Sequence, residues 1–215
     1  MSYANGPKIV TDGLVLCLDA ANRKSYPGSG TTWYDLSGNG NNVSLMYGPV
    51  FNTNNKGSFV FDSTDDQGIL SSLITLSDFT IECASLCRWT YSPLFSYQAN
   101  VYYEYIRLDC SADGGRIIVV FGNGNQVSFS GIGNFCDTIK HFVIKRDGSD
   151  LSIYLDNSLI STATCSTNNF RIDRLCKGNS QVGNQELFFA KIYNRALSSD
   201  EITQNYNATK GRFGL

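Results

Sequence analysis

Short segments in which apolar and polar residues alternate recur along the whole chain, and turn residues separate them. A period of two places successive side chains on opposite faces of an extended strand. Many short strands spaced eight to twelve residues apart, with no alternating helices, are typical of an antiparallel sandwich or barrel. The pattern predicts strands at residues 14–20, 58–62, 79–86, 102–109, 116–121, 140–146, 151–156 and 186–194.

Turn signals lie between these segments. Asp113-Gly114-Gly115 and Asp147-Gly148 are strong hairpin signals, because glycine readily adopts positive φ and aspartate tolerates it. Asp156-Asn157 predicts a third tight turn, and "GNGNQ" at residues 122–126 predicts a hairpin loop. The segment "DLSGNGNN" at residues 35–42 is too rich in glycine and asparagine for regular structure, so we expect a long loop there.

A single helix is predicted near the end of the chain. Ser198 and Glu201 have the spacing of a capping box, and Leu197 and Ile202 flank that box as a hydrophobic staple. These signals predict a helix over residues 199–208, ended by Gly211 in the left-handed conformation. So short a helix is unstable alone, so we expect it to lie against the sandwich.

The tail after the helix contains two apolar residues, Phe213 and Leu215. Each would contribute about 1.5–3 kcal/mol if fully buried. The tail either folds back onto the sandwich or docks into another protein. The second alternative makes the terminal arms, residues 1–10 and 209–215, hypothetical attachment points to a particle or a second copy.

Composition excludes several classes of protein. The chain has 215 residues, 17% charged residues and a net charge of −2, and it contains no basic run of the kind that binds nucleic acid. No apolar stretch reaches the length of a membrane span, and the opening lacks the pattern of a secretory leader. We therefore expect one domain over residues 1–215, folded in a cytosol, with neither nucleic acid nor membrane as partner.

The seven cysteines do not have the spacing of a zinc site. Cys83 and Cys87 are four residues apart, which is about 13 Å along a strand and too far for a disulfide. We expect mostly reduced, buried thiols, with at least one disulfide as the alternative.

Catalytic residues are not evident. The chain has four glutamates, and none has an acidic residue two positions away, the spacing that puts two carboxylates on one face of a strand. Glu104 and Asp109 fall on opposite faces, and the single histidine, His141, has no recognisable nucleophile beside it. A glycoside hydrolase needs two opposed carboxylates, so we predict that the chain is not an enzyme.

A candidate carbohydrate site lies in "YQANVYYEYIR", because sugar sites combine aromatic faces with hydrogen-bonding groups. Alternation puts Tyr103, Tyr105 and Arg107 on one face of a strand, with Tyr97 just before it. The alternative is that these tyrosines pack with their hydroxyl groups in water.

Three segments resemble the concanavalin A-like, laminin-G-like jelly-roll family: "FTIECASLCRW", "KHFVIKRDGSDLSIYLDNSLIST" and "LFFAKIYNRALSSDEITQNYN". The resemblance covers about residues 14–206 and implies an all-β, two-sheet antiparallel jelly-roll sandwich with one short C-terminal helix. The family's Trp-His pair is replaced here by Lys140-His141, and its Asp-Gly turn by Asp156-Asn157. The family contains lectins, adhesion modules and glycanases, so the fold alone does not define the function.

The opening residues 6–42 are similar to a leader found in virion proteins of marine bacteriophages. The resemblance implies a non-catalytic virion structural or decoration protein on the capsid or tail, with other virion proteins, further copies of itself and cell-surface glycans as partners. A glycan-processing enzyme on the same fold is the alternative. Relatives often bind calcium through rim loops, which makes Asp62, Asp65 and Asp66 a candidate calcium site; the alternative is a solvated turn. No cofactor is required.

Overall fold

The computed structural model describes residues 8–54, 57–98, 103–111, 114–178 and 181–215. These ranges contain sixteen strands and one α-helix. In chain order the elements are β1 (Leu14–Asp19), β2 (Thr32–Trp33), β3 (Val43–Met46), β4 (Val50–Asn52), β5 (Ser58–Asp62), β6 (Gln67–Leu76), β7 (Phe79–Cys87), β8 (Ser92–Tyr97), β9 (Glu104–Asp109), β10 (Arg116–Val120), β11 (Gln126–Ser130), β12 (Ile139–Asp147), β13 (Asp150–Leu155), β14 (Ser158–Thr164), β15 (Phe170–Leu175), β16 (Asn184–Tyr193) and α1 (Ser199–Thr209).

The strands form two eight-stranded sheets in which neighbouring strands run antiparallel. The first has the order β14-β13-β12-β7-β16-β5-β4, and β1 pairs with the second half of β16 beside β5. The second has the order β11-β10-β9-β8-β15-β6-β3-β2. This architecture confirms the predicted all-β, two-sheet jelly-roll sandwich with one short C-terminal helix.

The core lies between the two sheets, and the alternation seen in the sequence produces it. In β9, Ile106 and Leu108 are fully buried, while Tyr105 and Arg107, which alternate with them, are only partly buried. Aromatic rings join the sheets: Trp33 of the second sheet lies 4.8 Å from Phe59 of the first, measured between ring centroids. Burial of such side chains is the main source of the stability of a sandwich.

The tight turns lie where the sequence predicted them. Gly148 has φ +58° between β12 and β13, and Asp156 and Asn157 have φ +47° and +68° between β13 and β14. Two successive positive φ values define the hairpin turn whose twist matches that of its strands. In the predicted turn Asp113-Gly114-Gly115, Gly114 has φ +108° between β9 and β10. Asp113 lies outside the described residues.

The helix α1 covers the outer face of the first sheet. Both hydrogen bonds of the predicted capping box are present between Ser198 and Glu201. Leu197 and Ile202 pack with Val10 and Tyr193 in a small apolar cluster outside the main core. Because this outer face is covered, β7 and β16 are buried on both faces and lose the alternation of a half-exposed strand.

The tail folds back onto its own sandwich. Phe213 lies 5.2 Å from the ring of Phe188 and 6.1 Å from that of Phe189. The Arg212 guanidinium donates to Asp19 and to the Gly57 carbonyl, each over 2.6 Å. Phe213 therefore follows the first alternative, in which the tail folds back onto the sandwich. Leu215 is also partly buried. An assembly role for Phe213 and Leu215 stays a prediction.

The predicted helix end at Gly211 is wrong. The chain continues from α1 into a short 3-10 turn at Lys210–Arg212, and Gly211 does not take a positive φ. The left-handed residue is Gly214, with φ +71°. The continued helical path ends with Arg212 in contact with Asp19.

The cysteines are mostly free, as predicted. Five are buried thiols: Cys17, Cys83, Cys87, Cys165 and Cys176. The alternative of at least one disulfide also holds, because Cys110, after β9, is joined to Cys136, before β12. This disulfide links two loops that are 26 residues apart in the sequence. No helix in the described part of the chain is long and apolar enough to cross a membrane.

The antiparallel order gathers the β3–β4, β5–β6, β7–β8, β9–β10, β11–β12 and β15–β16 connections at one end of the sandwich. We call this end the loop rim. The opposite end carries the β8–β9 and β10–β11 connections.

Candidate functional site

A cleft of about 310 Å³ opens on the loop rim and is called the rim cleft below. Three connections line it: β5–β6, β7–β8 and β15–β16. The volume is at the lower end of the range for small-molecule sites. The lining residues are Ser63, Trp89, Thr90, Tyr91, Gln181 and Val182.

Two exposed aromatic side chains dominate the rim cleft. Trp89 is 60% exposed and Tyr91 is 48% exposed, although both are large and partly apolar. Ser63, Thr90 and Gln181 add neutral hydroxyl and amide groups beside them. Apolar faces with a few placed hydrogen-bonding groups are the usual composition of a small-molecule site.

Tyr91 is held in a fixed position from behind. Its backbone has φ +63°, a conformation that non-glycine residues rarely adopt. Its N–H donates to the Asp109 carboxylate over 2.8 Å, and the Arg107 guanidinium lies 4.4 Å from its ring centroid. Asp109 is 1% exposed and binds Arg107 and Arg116 over 2.9 and 3.2 Å. A buried carboxylate therefore positions the tyrosine.

Trp89 is also anchored through its backbone. Its carbonyl accepts hydrogen bonds from the Cys87 thiol and the Ser92 hydroxyl, each over 3.1 Å. Burial raises the pKa of the Cys87 thiol, which keeps the proton that the thiol donates. The backbone of Cys87 also forms a β-bridge with that of Cys136, whose side chain is in the disulfide with Cys110. The two aromatic residues thus project from a loop that several contacts immobilise.

The acid loop, Asp62, Asp65 and Asp66, lies on the same β5–β6 connection as Ser63. One oxygen from each carboxylate lies within 4.8 Å of the others. Asp66 is 2% exposed and accepts the N–H of Asp62 over 3.1 Å. Burial, with smaller contributions from Asp62 and Asp65, raises the pKa of Asp66.

The three carboxylates provide the type of ligand atom that calcium prefers, which is oxygen. They are fewer than the six to eight oxygens that it takes, so water or a ligand would have to complete the site. The sequence correctly placed the three residues together. Calcium binding itself stays a prediction.

The predicted carbohydrate set is divided between the two ends of the second sheet. Arg107 lies near the loop rim, with its guanidinium 5.7 Å from the Tyr105 ring and closer to Tyr91. Tyr97 lies at the opposite end, where Arg171 stacks on it at 4.3 Å. Tyr103 immediately precedes β9 and is partly buried, and residues 99–102 of the predicted segment lie outside the described residues.

Sequence reasoning missed Trp89 and Tyr91. The signal was present in "CRWTYSP", where two large aromatic residues occupy a loop between two apolar strands. What the sequence did not show is that Gln181 and Val182, about ninety residues later, complete the cleft.

All four glutamates are bound within the fold. Glu82, Glu104 and Glu186 pair with Lys191, Arg171 and Arg88, respectively. Glu201 completes the cap of α1 and pairs with Arg195 over 2.6 Å. His141 is buried, and its Nε2 lies 2.8 Å from Glu82. None of these carboxylates lines the rim cleft.

A second cleft, of about 270 Å³, lies beside β4 and the β1–β2 connection. Its aromatic residues, Tyr26 and Phe51, pack against each other at 4.8 Å between ring centroids. Tyr26 is almost fully buried and donates its hydroxyl to the Gly30 carbonyl. This cleft exposes less aromatic surface than the rim cleft.

No protein-family model matches the chain, and no curated protein matches it. Solved structures with a similar fold include the ligand-binding domain of botulinum neurotoxin serotype D in complex with N-acetylneuraminic acid, with a TM-score of 0.70 and 13% identity over 93% of this chain and 52% of that one. The binding domain of Paraclostridial mosquitocidal protein 1 has a TM-score of 0.65 and 14% identity, over 92% and 52%. A structure of botulinum neurotoxin type C, whose cell entry depends on two ganglioside molecules, has a TM-score of 0.65 and 13% identity, over 96% and 53%.

The chain spans about half the length of these structures. At such low identity the similarity shows the fold alone, a lectin-like β-sandwich. The similar structures are binding domains rather than catalytic ones. Because only half of each is matched, the similarity does not place their ligands on the matching half.

Proposed function

We propose that this protein is a non-catalytic carbohydrate-binding module and that the rim cleft is its sugar site. The observation that carries the proposal is the pair of exposed aromatic side chains, Trp89 and Tyr91, on an immobilised loop beside neutral hydrogen-bonding groups. The apolar face of a sugar ring packs on such rings, and its hydroxyl groups need such partners. Preorganisation of the loop reduces the entropy lost on binding.

The test is a screen of the whole chain on a glycan array, followed by titration calorimetry with the best glycan. Trp89→Ala should weaken binding at least tenfold, equal to about 1.4 kcal/mol, because large aromatic anchors provide much of the free energy of binding. Tyr34→Ala is the matched control, since Tyr34 is 45% exposed but does not line the cleft. Equal losses in both variants, or none in Trp89→Ala, would contradict the proposal.

The place of this module is a second part of the proposal. The leader resemblance at residues 6–42 supports display on a phage particle, on the capsid or tail, in several copies and in contact with other virion proteins, after synthesis in a bacterial cytoplasm. Antibody raised against this chain should label intact virions in electron micrographs. Labelling confined to lysed host material would contradict this placement.

A glycan-processing enzyme is the alternative, and one observation favours it: the acid loop lies next to the rim cleft through Ser63. Opposed carboxylates are the machinery of glycoside hydrolysis. Sugar release from bacterial polysaccharide that Asp65→Asn abolishes would establish this alternative.

A further inference from the structure

The charges around the rim cleft indicate which sugars it accepts. Its six lining residues contain no charged side chain. Asp62 and Asp65 are exposed on the connection that provides Ser63. Among the described residues no ion pair involves either of them. Lys177, whose backbone pairs with that of the lining residue Val182, is the basic residue of the β15–β16 connection. The two exposed carboxylates outnumber this single ammonium group, so the surroundings of the cleft stay net negative.

Two arginines beside the aromatic pair are engaged elsewhere. Arg88, adjacent to Trp89, pairs with Glu186. Arg107, behind Tyr91, binds both oxygens of Asp109, over 2.9 and 3.0 Å. A carboxylate-bearing sugar would need a guanidinium or ammonium group facing the cleft, and the lining provides none.

We infer that the rim cleft selects neutral saccharides and disfavours saccharides that carry a carboxylate, such as sialylated glycans. The inference rests on the proposed function. A sialic acid carboxylate would be repelled by the exposed acids of the loop. A neutral hexose or N-acetylhexosamine can use the two aromatic faces and the groups of Ser63, Thr90 and Gln181 without that repulsion.

The experiment uses the whole chain and matched glycan pairs, of which N-acetyllactosamine and its 3′-sialylated form are the first. Chelator is present so that no divalent cation neutralises the acid loop. At low salt the neutral member should bind about fivefold tighter or more. The preference should decrease at high salt, which screens exposed charges, and in the double variant Asp62→Asn, Asp65→Asn, which removes them.

Each outcome decides one of the two claims. Equal or tighter binding of sialylated members, with both lost in Trp89→Ala, would overturn the selectivity and keep the proposed site. A neutral preference that the double variant does not change would overturn the role of the acid loop. If the chain binds neither member of any glycan pair and no glycan on the array, the proposed function is overturned, and this inference with it.

Discussion

Glu82→Gln should destabilise the folded protein by about 3–5 kcal/mol, the usual cost of removing one partner from a buried charged network. Glu82 is fully buried beneath α1. One carboxylate oxygen lies 2.8 Å from both Lys191 Nζ and His141 Nε2. The other accepts the side-chain N–H of Asn205, over 2.8 Å. A neutral amide would leave the buried ammonium group of Lys191 without a counter-charge.

The same network makes stability depend on pH. Burial alone would raise the pKa of Glu82, but the charge of Lys191 and the contact with His141 outweigh it and lower the pKa from 4.5 to about 2. The stabilisation is therefore complete above pH 4.5 and is lost as the pH falls towards 2.

Urea denaturation of both proteins between pH 2 and 7, together with thermal melting at pH 7, tests this. The melting temperature of Glu82→Gln at pH 7 should be about 6–20 °C lower, and the stability of the two proteins should converge towards pH 2. Glu201→Gln is the control, because Glu201 also has a pKa lowered to about 2 but lies near the surface, where a glutamine still completes the capping box. A loss below about 1 kcal/mol in Glu82→Gln would show that the network is not a stability determinant.

Local signals in the sequence predicted much of this fold, because they act through short-range geometry. The eight alternating segments all became strands, and Ser198 and Glu201 formed their cap. The missed strands are either too short to be recognised, as β3 and β11 are although they alternate, or lack alternation. β14 is exposed along nearly its whole length at a sheet edge, so no buried face imposes alternation. β6 contains two consecutive exposed serines, Ser71 and Ser72, and its register shifts against β15.

The site was harder to predict than the fold. Alternation correctly put Tyr105 and Arg107 on one face of β9, but it did not show which loops meet at the rim. That depends on the order of strands in two sheets, where β7 pairs with β16 and β8 pairs with β15 across long sequence separations. Buried polar side chains were equally hidden, since Glu82 and Lys191 meet only when β7 pairs with β16.

Arg146 is a buried charge without a carboxylate partner in the described part of the chain, unlike Lys191, which pairs with Glu82. It is 1% exposed, and among the described residues no ion pair involves it. Its guanidinium donates to the carbonyls of Ser166, Asn168 and Leu76. It also lies over the Phe79 ring, 5.2 Å from its centroid. One side chain thus joins β12 to the β14–β15 connection and to the end of β6.

Arg146→Met should therefore destabilise the protein by about 3–5 kcal/mol, because three carbonyls lose charge-assisted donors of about 1.5–3 kcal/mol each, offset in part by the easier burial of methionine. Arg146→Lys is the graded control: it keeps the charge but lacks the planar fork that reaches several acceptors, so its loss should be intermediate. Both are measured by urea denaturation and thermal melting.

The pH dependence distinguishes the contacts of Arg146 from the Glu82 network. Burial lowers the pKa of Arg146, yet an arginine remains protonated throughout the range from pH 2 to 7. The difference between wild type and Arg146→Met should consequently stay constant over that range, whereas the Glu82→Gln difference should vanish towards pH 2. A methionine variant as stable as the wild type would mean that water satisfies the three carbonyls and that the buried guanidinium does not stabilise the fold, as happens when some buried ion pairs are replaced by apolar residues.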